Sequence, residues 1–119
     1  MEIPIMQAIS VEDMSAVEFA KEYEDVSDYF ILDTSTSLVI GVGASGKVHD
    51  WNVSKAIVDS VKIPVVLAGG LSPENVRDAI EKVKPWGVDS LTHTNKTLDD
   101  GNFVKDITKV REFFINATR

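Results

Sequence analysis

Short apolar runs alternate along this chain with stretches in which apolar residues recur at helical spacing. Ile3 to Ile9 is a run with Pro4 near its start, where a strand tolerates proline. Ser10 and Asp13 then form a near-capping arrangement, and Ala16, Phe19, Ala20 and Tyr23 fall at i, i+3, i+4 and i+7, which predicts a first helix over roughly 11–24. Its last turn carries an acidic excess where the helix dipole favours cations, so that end is expected to fray. Tyr29 to Leu32 reads as a second strand that stops at Asp33. A second helix is marked by Val53, Ala56, Ile57 and Val61, a third strand by Ile63 to Ala68, and a third helix by Val76, Ala79, Ile80 and Val83. Trp86 to Leu91 reads as the fourth strand, followed by a polar loop through Gly101 and a last helix with the stripe Phe103, Ile107, Val110 and Phe114.

Four strand–helix units in strict alternation imply an α/β fold, with a parallel sheet joined by right-handed crossovers and a single domain over 1–119. The continuous apolar run at 64–68 fits a strand covered on both faces. Four such strands with helices on one side leave the other face and two edges open, a liability unless something covers them. Between Asp33 and Trp51 the chain has small residues and glycines at 41, 43 and 46, too many for a simple connection. That stretch is either a functional loop or a disordered one.

Charge and composition narrow the chemistry. Twelve Lys and Arg against nineteen Asp and Glu give a formal charge of −7 with no basic cluster, so a main role in binding polyanions lacks its driving force. A small phosphorylated ligand is compatible, since a helix N-terminus and one or two lysines can hold it. The chain has no cysteine, which removes disulfides, thiolate metal sites and a cysteine nucleophile and fits a reducing compartment. No stretch approaches the roughly 20 apolar residues of a membrane span, and Met1-Glu2 is not a secretory start, so a cytoplasmic protein is expected. No His/Asp/Glu cluster has metal-ligand spacing, and neither a metal nor a cofactor is expected.

The stretch from Val65 to Val76 carries the sharpest signal. Apolar β-formers end in Gly69-Gly70, and Ser72-Pro73-Glu74 then opens a helix, so strand becomes helix within a few residues. Glycines there allow backbone N–H groups to approach a ligand, and the positive end of the next helix favours an anion such as phosphate. The alternative is that the pair only makes a tight turn.

Asp33-Thr34, then Gly43 to Trp51, then Leu67 to Val76, and finally Gly87-Val88-Asp89 resemble, in order, the C-terminal half of the phosphoribosylanthranilate isomerase family, (βα)8 TIM barrels of tryptophan biosynthesis. The resemblance implies a (βα)4 half-barrel corresponding to barrel units five to eight. It assigns Asp33 as the general acid that protonates the furanose ring oxygen during an Amadori rearrangement of N-(5-phosphoribosyl)anthranilate. A carboxyl at the C-terminal end of a barrel strand suits that role. It assigns Gly69 and Gly70 to the phosphate-binding turn, and Gly43, Ser45, Gly46 and Lys47 to a loop that closes over substrate.

The departures from the family pattern are equally specific. The family's general base is a cysteine on its first strand, and an arginine after the second strand helps hold the anthranilate carboxylate; this chain contains neither unit. The family's Ser-Ser-Gly-Val-Glu pattern after the eighth strand, whose backbone completes the phosphate site, is replaced here by Leu91-Thr92-His93-Thr94-Asn95. His93 stands where a glycine is implied, and Thr92 and His93 become the candidate phosphate ligands of that loop. His49 and the two tryptophans, Trp51 and Trp86, read as packing residues. The expected partners are a phosphosugar and either further copies of the chain or a missing N-terminal half-barrel, with no nucleic acid and no membrane. Catalysis is implied only with a completing half; the alternatives are a phosphate-binding module or a structural half-barrel without chemistry.

Overall fold

The computed structural model describes residues 3–33 and 51–119. Strands β1 (Met6–Ser10), β2 (Tyr29–Asp33), β3 (Val65–Leu67) and β4 (Gly87–Val88) form one parallel sheet in sequence order. Its register aligns Ile9 with Leu32, Leu32 with Leu67, and Leu67 with Val88. Helices α1 (Ser15–Tyr23), α2 (Trp51–Ser60), α3 (Val76–Val83) and α4 (Ile107–Ala117) alternate with the strands, and each packs on the next. The parallel α/β architecture read from the sequence is present.

Strand alternation sorts the sheet into two faces. Ile9, Phe30, Leu32, Val65 and Leu67 point into a core completed by Ala16, Val17 and Ala20 of α1, Val53 and Ile57 of α2, and Ala79 and Val83 of α3. The opposite face presents Met6, Ala8 and Ser10 of β1, Ile31 and Asp33 of β2, and Val66, Ala68 and Gly87. It is exposed along β1 but buried at Val66 and Ala68, so the open apolar face expected from the sequence is confined to one side. Neither outer edge of the sheet has a strand partner among the described residues.

Several boundaries differ from the sequence reading. Asp13, rather than Ser10, starts α1: its carboxylate accepts from the backbone N–H and the hydroxyl of Ser15. The acidic end of that helix does not continue as α-helix, giving way to a 3-10 turn at Glu24–Val26. Phe19 and Tyr23 are not core: they stack on each other, 4.5 Å between ring centroids, beside the free edge of β1. Fourth-strand pairing is limited to Gly87–Val88. The polar stretch that follows is not a plain loop; a 3-10 turn at Thr92–Thr94 leads into an antiparallel hairpin, β5 (Asn95–Thr97) with β6 (Phe103–Lys105). Phe103 therefore belongs to a strand, not to the last helix.

The expected stripe on α4 is reversed. Ile107, Val110 and Phe114 face outward, while Phe113 packs on the core, Lys109 Nζ donates to the Asn95 carbonyl, and Asn116 Nδ2 donates to the Pro73 carbonyl. A last helix with a neighbour on one side only must leave one of its faces bare. Trp51 packs against the core as expected, but Trp86 does not: it is exposed and leans on Tyr29 at 5.4 Å.

Candidate functional site

The C-terminal edge of the parallel sheet collects the candidate residues. Register places Ser10, Asp33, Ala68 and Asp89 in one row across the four strands, on the face away from the core. Asp33 is exposed, and its backbone carbonyl accepts from Val11 N–H at 2.8 Å. Among the described residues the carboxyl has no hydrogen-bond partner. It lies one strand away from Ala68, the residue before Gly69, which is about 5 Å at ordinary sheet spacing.

Gly69 and Gly70 have φ of 91° and 73°, a region where a Cβ is strained, so the turn requires glycine at both positions. Neither glycine N–H donates to a protein acceptor among the described residues. Ser72 and Asn75 fasten the turn to the start of α3. Ser72 N–H donates to Asn75 Oδ1 at 2.8 Å, Asn75 N–H reaches Ser72 Oγ at 3.3 Å, and Asn75 Nδ2 donates to the Gly70 carbonyl at 3.0 Å. This is a capping box with an amide in place of the usual carboxylate. From the other side Ser90 Oγ donates to the Leu71 carbonyl at 2.9 Å, which ties the segment after β4 to the glycine turn.

That segment brings Thr92 and His93 to the same edge, both exposed. Thr94 is buried instead, its hydroxyl donating to the Leu91 carbonyl and accepting from Lys105 Nζ at 2.7 Å. Lys105 Nζ also donates to the Leu91 carbonyl at 2.6 Å. Two ammonium groups, Lys105 and Lys109, thus hold the 91–95 loop through carbonyl and hydroxyl oxygens rather than through carboxylates. Sequence reasoning missed Lys105, Asn75 and Asp89. The only available signal for Asn75 was its place three residues after Ser72, the spacing of a capping box. Lys105 was invisible because its partner lies across a hairpin that the sequence pattern did not reveal.

Gly43, Ser45, Gly46 and Lys47 lie outside the described residues. Among the described residues no group of three His, Asp or Glu could hold a metal ion, and no helix is long and apolar enough to cross a membrane.

Comparison with known proteins identifies the family. The family model described as N-(5'-phosphoribosyl)anthranilate isomerase matches residues 1–116. N-(5'-phosphoribosyl)anthranilate isomerase 2 of Methanosarcina mazei is 44% identical over 115 residues, covering 97% of this chain and 49% of its own. The isomerase of Methanocella arvoryzae is 40% identical over 111 residues, covering 93% and 49%. Among solved structures, phosphoribosyl anthranilate isomerase from Thermotoga maritima superposes with a TM-score of 0.77 at 32% identity, over 98% of this chain and 52% of that one. A phosphoribosyl anthranilate isomerase in complex with reduced 1-(o-carboxyphenylamino)-1-deoxyribulose 5-phosphate gives a TM-score of 0.70 at 28% identity, over 98% and 49%. The chain spans about half the length of the curated relatives it matches. With the family model matching nearly from end to end and solved members sharing both fold and sequence, the chain belongs to the N-(5'-phosphoribosyl)anthranilate isomerase family.

Proposed function

We propose that the chain is the C-terminal, (βα)4 half of an isomerase barrel, a single domain over 1–119 that supplies the acid and phosphate sides of an active site completed by a companion half. The observation that carries this reading is the row at the C-terminal sheet edge, where the exposed Asp33 carboxyl stands one strand from the Gly69-Gly70 turn. Catalytic groups of (βα)8 barrels sit at that edge, with phosphate held by the last βα loops and a helix N-terminus. The substrate class is a phosphosugar: the 5-phosphate of N-(5-phosphoribosyl)anthranilate on the Gly69 and Gly70 N–H groups with Thr92 and His93 beside them, and the ring oxygen towards Asp33. Closure over the substrate falls to Gly43, Ser45, Gly46 and Lys47. A proton delivered by Asp33 opens the furanose; the base that then removes the proton from the sugar's C2 comes from the companion, since this chain has no cysteine. The setting is the cytoplasm, and no metal or cofactor takes part.

Turnover of N-(5-phosphoribosyl)anthranilate by the chain, alone and mixed with an N-terminal half from a relative, tests the reading. Asp33→Asn is expected to lower turnover of the completed enzyme by at least about 10²-fold, the scale of a lost general acid, with the fold intact. Undiminished turnover would remove Asp33 from the mechanism. The replaced 91–95 loop favours a second reading, a phosphosugar-binding module without catalysis. Under it phosphate binds, Gly70→Val weakens binding, and no mixture turns over substrate.

A further inference from the structure

We infer that Asn75 is a positioning residue for the phosphate turn, acting through the Gly70 carbonyl rather than through the helix it caps. The inference rests on the proposed phosphate role of Gly69 and Gly70 and adds the residue that sets the direction of their N–H groups.

Asn75 does two separable jobs. Its Oδ1 accepts from Ser72 N–H while its own N–H reaches Ser72 Oγ, and these bonds close the first turn of α3. Its Nδ2 instead crosses back five residues to the Gly70 carbonyl at 3.0 Å. Two successive glycines at positive φ have the widest conformational freedom of any dipeptide, so their peptide planes are not fixed by local sterics. Holding the Gly70 carbonyl fixes the Gly70–Leu71 peptide plane, and with it the direction of Leu71 N–H. It also narrows the choices open to the Gly69–Gly70 plane, whose N–H faces the ligand. Unanchored, the turn would be ordered only as the anion arrives, at a cost in affinity. Asn75 is half-buried, and each of its side-chain polar atoms has a partner at hydrogen-bond distance, as such a tether requires.

Asn75→Asp and Ser72→Ala separate the jobs. Aspartate keeps an acceptor for Ser72 N–H but has no donor for the Gly70 carbonyl. Alanine at 72 removes the hydroxyl cap and leaves the tether. Three readouts are followed on the whole chain: Gly69 and Gly70 amide resonances, inorganic phosphate binding by calorimetry at low and high salt, and thermal melting. For Asn75→Asp the expected results are shifted or broadened Gly69 and Gly70 amides and retained protection of Val76–Val83. Phosphate affinity should fall about tenfold or more, a loss that persists at high salt where repulsion from the new charge is screened. For Ser72→Ala the melting temperature drops by about 4–8 °C, the scale of a lost cap in a small domain, with phosphate affinity within about twofold. Unchanged glycine amides and affinity in Asn75→Asp would overturn the inference, as would an equal affinity loss in Ser72→Ala. Should the unsubstituted chain bind no phosphate, the ligand reading fails, and the glycine amides alone decide whether Asn75 orients the turn.

Discussion

Replacing Phe114 by Asp tests whether the open ends of the sheet are seams. Phe114 is 66% exposed on α4, with Ile107 at 61% and Ile115 at 52% on the same face. At the other end of the sheet Phe19 stands between Glu18 and Glu22 beside the free β1 edge. In a lone chain such a surface change moves stability by no more than about 0.5–1 kcal/mol. In a pair of copies closed around a two-fold axis, β1 of each meets β4 of the other, so Phe114 is buried twice. Covering its remaining two-thirds is worth about 1–2 kcal/mol per seam, hence about 2–4 kcal/mol for the pair. The dimer dissociation constant should then rise about 30- to 1000-fold. Light scattering and sedimentation across a wide concentration range read this directly. Arg111 is exposed on α4 and opposite in charge to Glu18 and Glu22 of α1, the helix it would face in such a pair. Arg111→Glu should therefore weaken association, and mixing it with a chain carrying Glu18→Lys and Glu22→Lys should restore a one-to-one dimer that neither forms alone. An unsubstituted chain that stays monomeric at every concentration, or a Phe114→Asp variant that associates as tightly, would refute the seam.

Three smaller predictions probe other parts of the molecule. Lys84 ends α3 in the left-handed region, φ 57° and ψ 52°, with its N–H on the Ile80 carbonyl, so Lys84→Gly should stabilise the fold by about 0.5–1 kcal/mol in a thermal melt. Asp13 is held below its ordinary pKa first by the Ser15 hydroxyl and then by the Ser15 N–H; Ser15→Ala should raise it towards the usual value in an NMR titration. Because the folded pKa is the lower one, this carboxylate's support of α1 is present above about pH 4 and is lost as the pH falls through the folded value. Lys105→Met removes a charged donor from the Leu91 carbonyl and Thr94 Oγ1, so stability should fall by about 1 kcal/mol after discounting for exposure, read as a lower melting temperature, together with phosphate affinity.

The parallel sheet was legible because βα units advertise themselves twice, by period and by punctuation. Val65 to Leu67 is an unbroken apolar run, buried throughout, and Val76, Ala79 and Val83 keep helical spacing on a helix that buries all three. In the last thirty residues the final helix was legible, but the hairpin before it and the face the helix buries were not. Hairpin β5/β6 has three residues per strand, nearly all exposed, so burial leaves no alternation to read. Helix α4 misled the stripe argument because periodicity marks an apolar face without saying whether a neighbour is there to cover it. Its outward residues are the more apolar set, and the inward ones include Lys109 and Asn116, which earn their places by hydrogen bonds rather than by hydrophobicity. At the candidate site, Asp33 and the glycine pair stand out by residue type and position and Asn75 by its spacing from Ser72, whereas Lys105 acts through distances that no one-dimensional pattern contains.

The loop after β4 ties these points to function. A glycine in that loop would offer backbone to a phosphate; this chain instead buries Thr94, exposes Thr92 and His93, and holds the loop with two lysines. The loop's shape therefore depends on hydrogen bonds from a hairpin and from α4, outside the strand–loop–helix unit that usually sets such a turn. Ser90 couples it to the Gly69–Leu71 turn, so the two segments proposed to hold phosphate share one support reaching from β3 to α4. In a chain of formal charge −7, Lys105 and Lys109 also concentrate positive charge beside the edge where an anion would enter. Loss of the glycine need not abolish phosphate binding if side chains and local potential replace what the backbone supplied. The cost falls on adaptability, because a loop bolted at Leu91, Thr94 and Asn95 cannot reshape around its ligand as a glycine turn can.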